Sequence, residues 1–372
     1  MGTRTYSREA YEGARRSFTE EGKSGTARGE QHVRETGKLN PLVDPAEFGV
    51  VRESRIRLEP RTGGGFEVSV GTPSSLEYRL DTTGSMGDNV ERAIKALPQT
   101  CELTSALLPE RDPFYCASIF GDVVDRFVLC RGQFEVLADR MVNQLTLMHP
   151  EAQGGDGPED PHYGLFGAAY LTNAYLHRIG LRSFDFTITD ATAHDRLSPD
   201  QLERIFGSSV FEKARENGHE IDPKDLPTNQ ELVADVLHRA HAFVLLVGTD
   251  ARKYWTLLYS KERVAILPTI EYVPHVMAVI TGLTEGTLDL LSAVDFLTGV
   301  NLQKSDARQL VDSVAHIPIG GQCALPNFGR MPKKGDVFME KTDLWPVNPE
   351  DLPTGSAGEE SPAKPDGSGG WL

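Results

Sequence analysis

A short polar stretch, Leu-Asp-Thr-Thr-Gly-Ser-Met-Gly-Asp-Asn at residues 80–89, constrains this chain more than any other part of it. The residues before it, 74–80, predict a strand, and the residues after it predict a helix. Between them, Asp81, Thr83 and Ser85 place three oxygen-bearing side chains at alternate positions. Hard divalent cations such as Mg²⁺ prefer an oxygen shell of this kind. The stretch therefore predicts a strand, a cation-binding turn and a helix in succession.

The composition excludes several classes of function. The chain has 372 residues, of which 39% are hydrophobic, and a formal net charge of −16 at pH 7. A nucleic-acid surface needs concentrated Lys and Arg, and an acidic chain without such a run argues against one. No apolar run approaches the roughly 20 residues that a membrane helix needs. We therefore expect a globular cytoplasmic protein that contacts neither nucleic acid nor membrane.

The cysteines predict free thiols. Cys101, Cys116, Cys130 and Cys323 show no Cys-x-x-Cys spacing, and two of them lie in predicted strands. Buried thiols in a reducing compartment explain this pattern better than a disulfide framework or a zinc site.

From residue 74 onward, predicted strands alternate with predicted helices. Apolar runs at 114–120, 184–189, 243–247 and 264–267 predict buried strands, and stretches with helical spacing separate most of them. Strands joined by long helices imply crossover connections, which give parallel pairing. The pattern predicts an α/β fold with a doubly wound, mostly parallel sheet and helices on both faces.

The rest of the chain gives the domain organisation, in which an arm and a helical extension flank the α/β domain. The predicted segments are an N-terminal arm at 1–45, a strand or hairpin extension at 46–73, the α/β domain at 74–300 with an insertion at about 195–227, a C-terminal extension at 301–348, and a disordered tail at 349–372.

Two further loops carry candidate ligands. In open α/β sheets, ligands bind outside the carboxyl ends of the strands, so candidate residues should follow strands. Asp190 follows the predicted strand at 184–189. The glycine-rich loop at 154–160 contains Asp156, and its glycines allow close backbone approach to an ion. We expect both loops to meet the turn at residues 80–89.

The first and third of these loops resemble motifs of the von Willebrand factor A (vWA) family. Asp81, Thr83 and Ser85 have the Asp-x-Ser/Thr-x-Ser spacing that begins the metal-ion-dependent adhesion site (MIDAS) of that family. Asp190, followed by Ala and then by His194, is similar to the third loop of the family's site. The resemblance covers roughly residues 74–300.

The glycine-rich loop resembles the Gly-Gly-Asp-x-Pro-Glu loop of some vWA proteins. Asp156 stands at the ligand position, and Glu159 and Asp160 are less favoured candidates for that position. Integrin-type members have a Thr ligand in this loop. An added carboxylate would raise the affinity for a cation and lower the remaining attraction of the ion for an acidic partner.

The resemblance implies a vWA fold and a site that binds Mg²⁺ or Mn²⁺. The hydroxyl groups would bind the ion directly, and the carboxylates would bind directly or through water. Asp160 and His194 are candidates for side chains that hold the ligands in place. The implied ligands are Asp81, Thr83, Ser85, Asp156 and Asp190.

The function that the resemblance implies is a non-enzymatic interaction module. One coordination position of the ion would stay open for an Asp or Glu of a protein partner, for example a subunit of a larger assembly. The helix N-terminus after Gly87 would also favour an incoming carboxylate.

Two simpler readings of these residues compete with the metal site. Polar residues between a strand and a helix are ordinary turn and cap residues, and Asp88 with Glu91 has the spacing of a capping pair. Acidic residues such as Glu159 and Asp160 at a helix start complement the helix dipole. Neither interpretation needs a cation.

A hydrolase is the enzymatic alternative. Ser85 lies at a strand–turn–helix junction, and Asp190 and His194 follow in the chain order of an α/β-hydrolase triad. Thr83 occupies the first Gly position of the Gly-x-Ser-x-Gly motif, however, and Asp190 and His194 are too close in sequence to come from two successive strand ends. A metal-assisted hydrolase would use the same cation but needs a general base.

Overall fold

The structure is a computed structural model, and it describes residues 26–52, 56–108, 111–136, 138–152, 157–173, 175–340 and 343. Much of the predicted arm, the predicted tail and the candidate ligand Asp156 lie outside these residues.

The strands are numbered in chain order and differ widely in length. They are β1 Val51–Arg52, β2 Arg57–Pro60, β3 Phe66–Val70, β4 Pro73–Asp81, β5 Asp112–Phe120, β6 Leu129–Arg131, β7 Pro158–Glu159, β8 Thr172–Asn173, β9 Ser183–Thr189, β10 Thr192–Ala193, β11 Ala240–Leu246, β12 Val264–Ile266 and β13 Val337–Phe338.

The α-helices are numbered in the same way. They are α1 Ala27–Thr36, α2 Pro45–Phe48, α3 Asn89–Ala96, α4 Gln99–Leu107, α5 Ala138–Leu147, α6 Pro161–Tyr170, α7 Tyr175–Arg178, α8 Pro199–Phe206, α9 Val210–Glu216, α10 Asn229–Arg239, α11 Arg252–Tyr259, α12 Val273–Glu285, α13 Leu290–Gly299 and α14 Lys304–Val314. Within the described ranges, no helix combines the length and the apolar character needed to cross a membrane.

A six-stranded mixed sheet forms the centre of the protein. Its strand order is β12-β11-β9-β4-β5-β6, and β6 runs antiparallel to β5 while the other neighbours pair in parallel. The prediction of a doubly wound α/β fold is therefore wrong: the sheet is mixed, with one antiparallel pair, and the fold is mixed α/β with further small sheets. The antiparallel pair has a simple cause. Residues 121–128 join β5 to β6 without a helix, and a parallel pairing needs a crossover of about a dozen residues or more.

Three small sheets surround the central one. β1 pairs with β8 and β7 pairs with β10, both in parallel. β2, β3 and β13 form an antiparallel sheet in which β2 and β3 pair where the sequence predicts a hairpin or paired edge strands. The β7–β10 pair brings Glu159 beside Ala193.

The two faces of β4 enter different environments. Leu76, Tyr78 and Leu80 belong to a hydrophobic core that also contains residues of α3, α4 and α12. Glu77 and Arg79 point to the opposite face, where both are buried. This alternation follows from the two-residue period of a strand, and it places Asp81, the last residue of β4, on the same face as the buried charges.

Helix α6 covers a buried network of charged side chains. Arg79 donates from Nη1 and Nη2 to Asp185 at 2.7 and 2.5 Å. Arg131 donates from Nε and Nη2 to Glu77, with both distances 2.9 Å. The helix can approach these pairs because it carries glycines: a Cβ at Gly164 would lie 3.0 Å from Arg79 Cδ and Nε.

Local sequence features explain where several helices begin and end. Thr228 and Glu231 form a capping box at the start of α10, and the insertion contains the short helices α8 and α9. Residues 284–297 do not form a single helix, because Gly286 adopts a left-handed conformation (φ 74°) that ends α12, and α13 begins at Leu290. Helix α12 itself escaped prediction because it is buried on every side and so lacks an amphipathic pattern.

The cysteines follow the prediction in part. All four are free thiols in the structure. Cys101, Cys116 and Cys130 are buried as expected, whereas Cys323 is exposed.

Candidate functional site

Strand ends and the loops beside them converge at one edge of the central sheet. Asp81 is the last residue of β4, and Asp190 directly follows β9, which is the neighbour of β4 in the sheet. Glu159 ends β7, next to the start of α6. The predicted positions of Asp81 and Asp190 at the carboxyl ends of adjacent strands thus bring the two loops together.

Asp81 is the fixed centre of this site. Its carboxylate is fully buried, and Oδ1 accepts hydrogen bonds from the backbone N and the Oγ1 of Thr83 at 3.0 and 2.7 Å. Oδ2 accepts from Thr189 Oγ1 at 2.6 Å. Burial raises the pKa of Asp81 to about 6, although these hydrogen bonds act to lower it. The carboxylate is therefore held rigidly without a cationic side chain bonded to it in the part of the chain that the structure describes.

Each of the two hydroxyl groups of the turn contacts a carboxylate. Ser85 Oγ donates to Asp190 Oδ1 at 2.8 Å, and Thr83 Oγ1 donates to Asp81 Oδ1. The two hydroxyl oxygens lie 3.2 Å apart. This distance allows a hydrogen bond between the two hydroxyls, in which either oxygen can donate. Both oxygens keep lone pairs that a hard cation would bind.

Glu159 is a second buried carboxylate near Asp81. It is 3% exposed, and its Oε2 lacks a hydrogen-bond partner among the described residues. Burial, followed by the charge of Asp81, raises the pKa of Glu159 to about 8, while the Thr83 hydroxyl lowers it. An unpartnered carboxylate oxygen in this position fits a site that is completed by a cation.

Asp160 and His194 form a pair beside this site. Asp160 Oδ1 lies 3.1 Å from His194 Nδ1, and Asp160 Oδ2 accepts from the backbone N of Val123 at 2.6 Å. Burial raises the pKa of Asp160 to about 6, and the charge of His194 lowers it. The carboxylate of Asp122 lies close to both residues. Their ligand atoms are within 4.8 Å of one another.

The structure brings some of the predicted site residues together and does not describe one of them. The structure brings together Asp81, Thr83, Ser85 and Asp190, whereas Asp156 lies outside the described residues. Asp160 and His194, the candidates for holding the ligands in place, contact each other, and a ligand atom of Asp122 lies within 4.8 Å of both.

The sequence-based prediction omitted Asp122 and gave Glu159 a low rank. Asp122 was overlooked although it follows β5 as Asp190 follows β9, so the same strand-end signal could have found it. Glu159 ranked low because an acidic residue before a helix has an ordinary explanation.

The simpler readings fit the geometry less well. The Asp88 side chain makes no capping hydrogen bond to α3, so the predicted capping pair with Glu91 is wrong. The hydrolase arrangement is not formed either. The Ser85 proton is directed to the Asp190 carboxylate, and His194 Nδ1 faces Asp160. A Ser–His–Asp relay would need the imidazole between the other two groups.

The donor set of the site suits a hard divalent cation. Carboxylates and hydroxyls are the ligands that Mg²⁺ and Mn²⁺ prefer. In the described part of the chain, no Lys or Arg forms an ion pair with Asp81, Glu159 or Asp190. Buried carboxylates without a positive partner are costly, and a cation would compensate their charge.

Comparisons with known proteins find distant structural likeness. No protein-family model matches the chain, and a search of curated proteins finds no match. Among solved structures, proximal thread matrix protein 1 from the mussel byssus is 10% identical over 59% of this chain and 49% of that chain, with a TM-score of 0.36. The pilus adhesin SpaC from Lactobacillus rhamnosus GG, in its open conformation, is 12% identical over 61% of this chain and 33% of that chain, with a TM-score of 0.39. The chain thus spans between a third and a half of the length of these structures, and likeness at this level assigns neither a family nor a function.

Proposed function

We propose that this chain is a divalent-cation-dependent protein-interaction module of the vWA type. It binds Mg²⁺ or Mn²⁺ through a MIDAS-like site and uses the ion to hold an Asp or Glu carboxylate of a protein partner. The observation that carries the proposal is the cluster of side-chain oxygens at the turn: the Thr83 and Ser85 hydroxyl oxygens lie 3.2 Å apart, and each contacts a carboxylate, that of Asp81 or that of Asp190.

Four of the proposed ligands rest on contacts in the structure, and the fifth rests on the sequence resemblance. Thr83 and Ser85 supply oxygen lone pairs, and the carboxylates of Asp81 and Asp190 fix the two hydroxyls while adding negative charge. Asp156 is assigned by its resemblance to the family's middle loop alone. The cation supplies the electrophile that the acidic partner needs. Without it the site would repel a carboxylate, because the chain has a net charge of −16.

The partner would approach from the Ser85 side. Ser85 is exposed and Asp190 is half-buried, whereas Asp81 and Thr83 are fully buried. The ion would therefore have protein ligands beneath it and solvent in front of it. The N-terminus of α3 begins just beyond this turn, at Asn89, and its dipole also favours an incoming anion.

The compartment that we propose is the cytoplasm. Burial raises the pKa of the thiols of Cys101, Cys116 and Cys130, so these groups are protonated and unreactive at neutral pH. Three buried free thiols fit a reducing compartment.

Metal binding can be tested by calorimetry on the full chain with Mg²⁺ and with Mn²⁺. Asp81→Asn keeps the shape of the side chain and removes its charge, so we expect at least tenfold weaker binding, about 1.4 kcal/mol or more. Asp312→Asn is the matched control, since it makes the same change at an exposed position on α14. Equal binding by wild type and Asp81→Asn would refute the site.

Partner binding can be tested by a pull-down from the native host. The full chain serves as bait in Mg²⁺ and in EDTA, and the Asp81→Asn chain serves as bait in Mg²⁺. We expect a partner that is retained only by the wild-type chain in Mg²⁺. A partner that is retained equally in EDTA would show that the interaction does not use the ion.

A further inference from the structure

We propose that the chain has a second metal site, built for Zn²⁺, beside the site described above. Its ligands are Asp122, Asp160, His194 and His162. The inference does not depend on the first site, which uses oxygen ligands alone.

The first three of these side chains come from separate loops. Asp122 follows β5, Asp160 directly precedes α6, and His194 follows β10. Their ligand atoms lie within 4.8 Å of one another. Asp122 is 2% exposed and Asp160 is 1% exposed, so two carboxylates are buried together. In the described part of the chain, the ion pairs of Asp160 are formed with histidines and with no Lys or Arg.

A buried histidine gives independent evidence for a ligand at this cluster. His162 is 1% exposed, and neither of its ring nitrogens has a hydrogen-bond partner within the described residues. Its Nε2 lies 3.4 Å from Asp160 Oδ1, so the ring points at the cluster without bonding to it. A buried imidazole that bonds to nothing loses its hydration without compensation. A metal ion would satisfy the free lone pair.

Two distances from Asp160 Oδ1 are close to the spacing between ligands of one metal ion. Zn²⁺ binds nitrogen and carboxylate oxygen at about 2.0–2.2 Å, so neighbouring ligands of a tetrahedral ion lie roughly 3.3–3.5 Å apart. The observed distances from Asp160 Oδ1 are 3.1 Å to His194 Nδ1 and 3.4 Å to His162 Nε2. Both histidine nitrogens thus lie at about ligand spacing from Asp160 Oδ1, while the group whose ligand atoms all lie within 4.8 Å of one another contains Asp122, Asp160 and His194.

The ligand types select the metal. Imidazole nitrogen suits Zn²⁺ and other late transition metals, whereas Mg²⁺ and Ca²⁺ prefer oxygen. Two imidazoles with two carboxylates therefore favour Zn²⁺ over Mg²⁺. The imidazole nitrogens also distinguish this site from the turn at Asp81, Thr83 and Ser85, whose side chains offer oxygen ligands alone.

The surroundings hold the carboxylates in place. The backbone N of Val123 donates to Asp160 Oδ2 at 2.6 Å, and the backbone N of Val124 donates to Asp122 Oδ1 at 2.9 Å. Each carboxylate thus has one oxygen anchored by the same short loop. Bonds of this kind orient metal ligands and raise the affinity of a site. Four protein ligands leave no open position on a tetrahedral ion, so this Zn²⁺ would tie the three loops together.

The test is calorimetry with Zn²⁺ on the chelator-treated full chain, in a saturating concentration of Mg²⁺. We expect one tight site per chain, weakened by at least about tenfold in Asp122→Asn and in His194→Gln. His238→Gln is the matched control, because exposed His238 lies against His177, with ring centroids 4.9 Å apart, and could bind Zn²⁺ at the surface. Asp81→Asn should retain the Zn²⁺ site, which separates this proposal from the first.

Co²⁺ provides a second readout that does not depend on affinity. The full chain loaded with Co²⁺ should show the visible absorption bands of a tetrahedral site with nitrogen ligands, and His162→Ala should change them. If His162→Ala does not fold, as judged by circular dichroism, the spectrum of His194→Gln answers the same question. Unchanged Zn²⁺ affinity in His194→Gln, or loss of the site in His238→Gln alone, would overturn the proposal.

Discussion

Glu159→Gln is the substitution that most sharply tests the electrostatics of the candidate site. Burial and the charge of Asp81 raise the pKa of Glu159 from its ordinary 4.5 to about 8 in the cation-free protein. The folded chain therefore retains a proton that the unfolded chain has released. For an acid with a raised pKa, the free energy of unfolding falls as the pH rises from 4.5 to 8. Glutamine keeps the shape of the protonated acid and does not titrate, so it makes no pH-dependent contribution to the free energy of unfolding.

The size of the effect follows from the shift of the pKa. Each unit is worth about 1.4 kcal/mol, so the shift costs the wild-type chain about 4 kcal/mol near pH 8. We expect Glu159→Gln to unfold with a free energy higher by that order near pH 8. The difference should shrink towards zero as the pH falls to the ordinary pKa of a glutamate. Mg²⁺ should reduce it as well, because a cation stabilises the ionised form of Glu159.

The assay is urea denaturation, followed by the fluorescence of buried Trp255, in EDTA and in Mg²⁺ across this pH range. Glu203→Gln makes the same change at an exposed position of α8 and serves as the control. Equal stability of Glu159→Gln and wild type at every pH would refute the electrostatic account. So would a Glu159→Gln protein that is less stable than wild type near pH 8.

Three further substitutions test other parts of the structure. Asp185→Ala removes the bidentate partner of buried Arg79 and leaves it only Thr187 and the more distant Glu77, so it should cost about 3–5 kcal/mol in urea denaturation, whereas a cost below about 1 kcal/mol would contradict the ion pair. Gly167→Ala places a Cβ 3.0 Å from Arg131 Nη1, so it should destabilise by about 1–3 kcal/mol, and a more stable variant would contradict the tight packing. Wild type should not react with a fluorophosphonate probe, and labelling that is lost in Ser85→Ala would instead support the serine-hydrolase alternative.

Local chemistry made part of the site predictable from the sequence. Asp81, Thr83 and Ser85 lie within one turn, so their meeting depends on a single strand end and is visible as a five-residue pattern. Asp190 was predictable because an apolar run of strand type ends directly before it. In both cases the sequence signal and the structural position are the same stretch of chain.

Long-range packing made the rest unpredictable. The partners of Glu77 and Arg79 depend on strand register and on the approach of α6, which no local pattern reports. The antiparallel pairing of β6 was not predicted, because the fold class was inferred from the longer helical connections elsewhere. Glu159 has an ordinary local explanation as an acidic residue before a helix, so only the unpartnered oxygen in the folded chain distinguishes it.

The proposed function requires a divalent cation bound to the Thr83 and Ser85 hydroxyls. Anomalous diffraction from crystals of the full chain grown with Mn²⁺ would locate such an ion. We expect a manganese peak within coordination distance of Thr83 Oγ1 and Ser85 Oγ, beside Asp81 and Asp190, that disappears in Asp81→Asn crystals. Well-diffracting wild-type crystals with no peak at this turn, or with manganese bound only elsewhere on the chain, would contradict it.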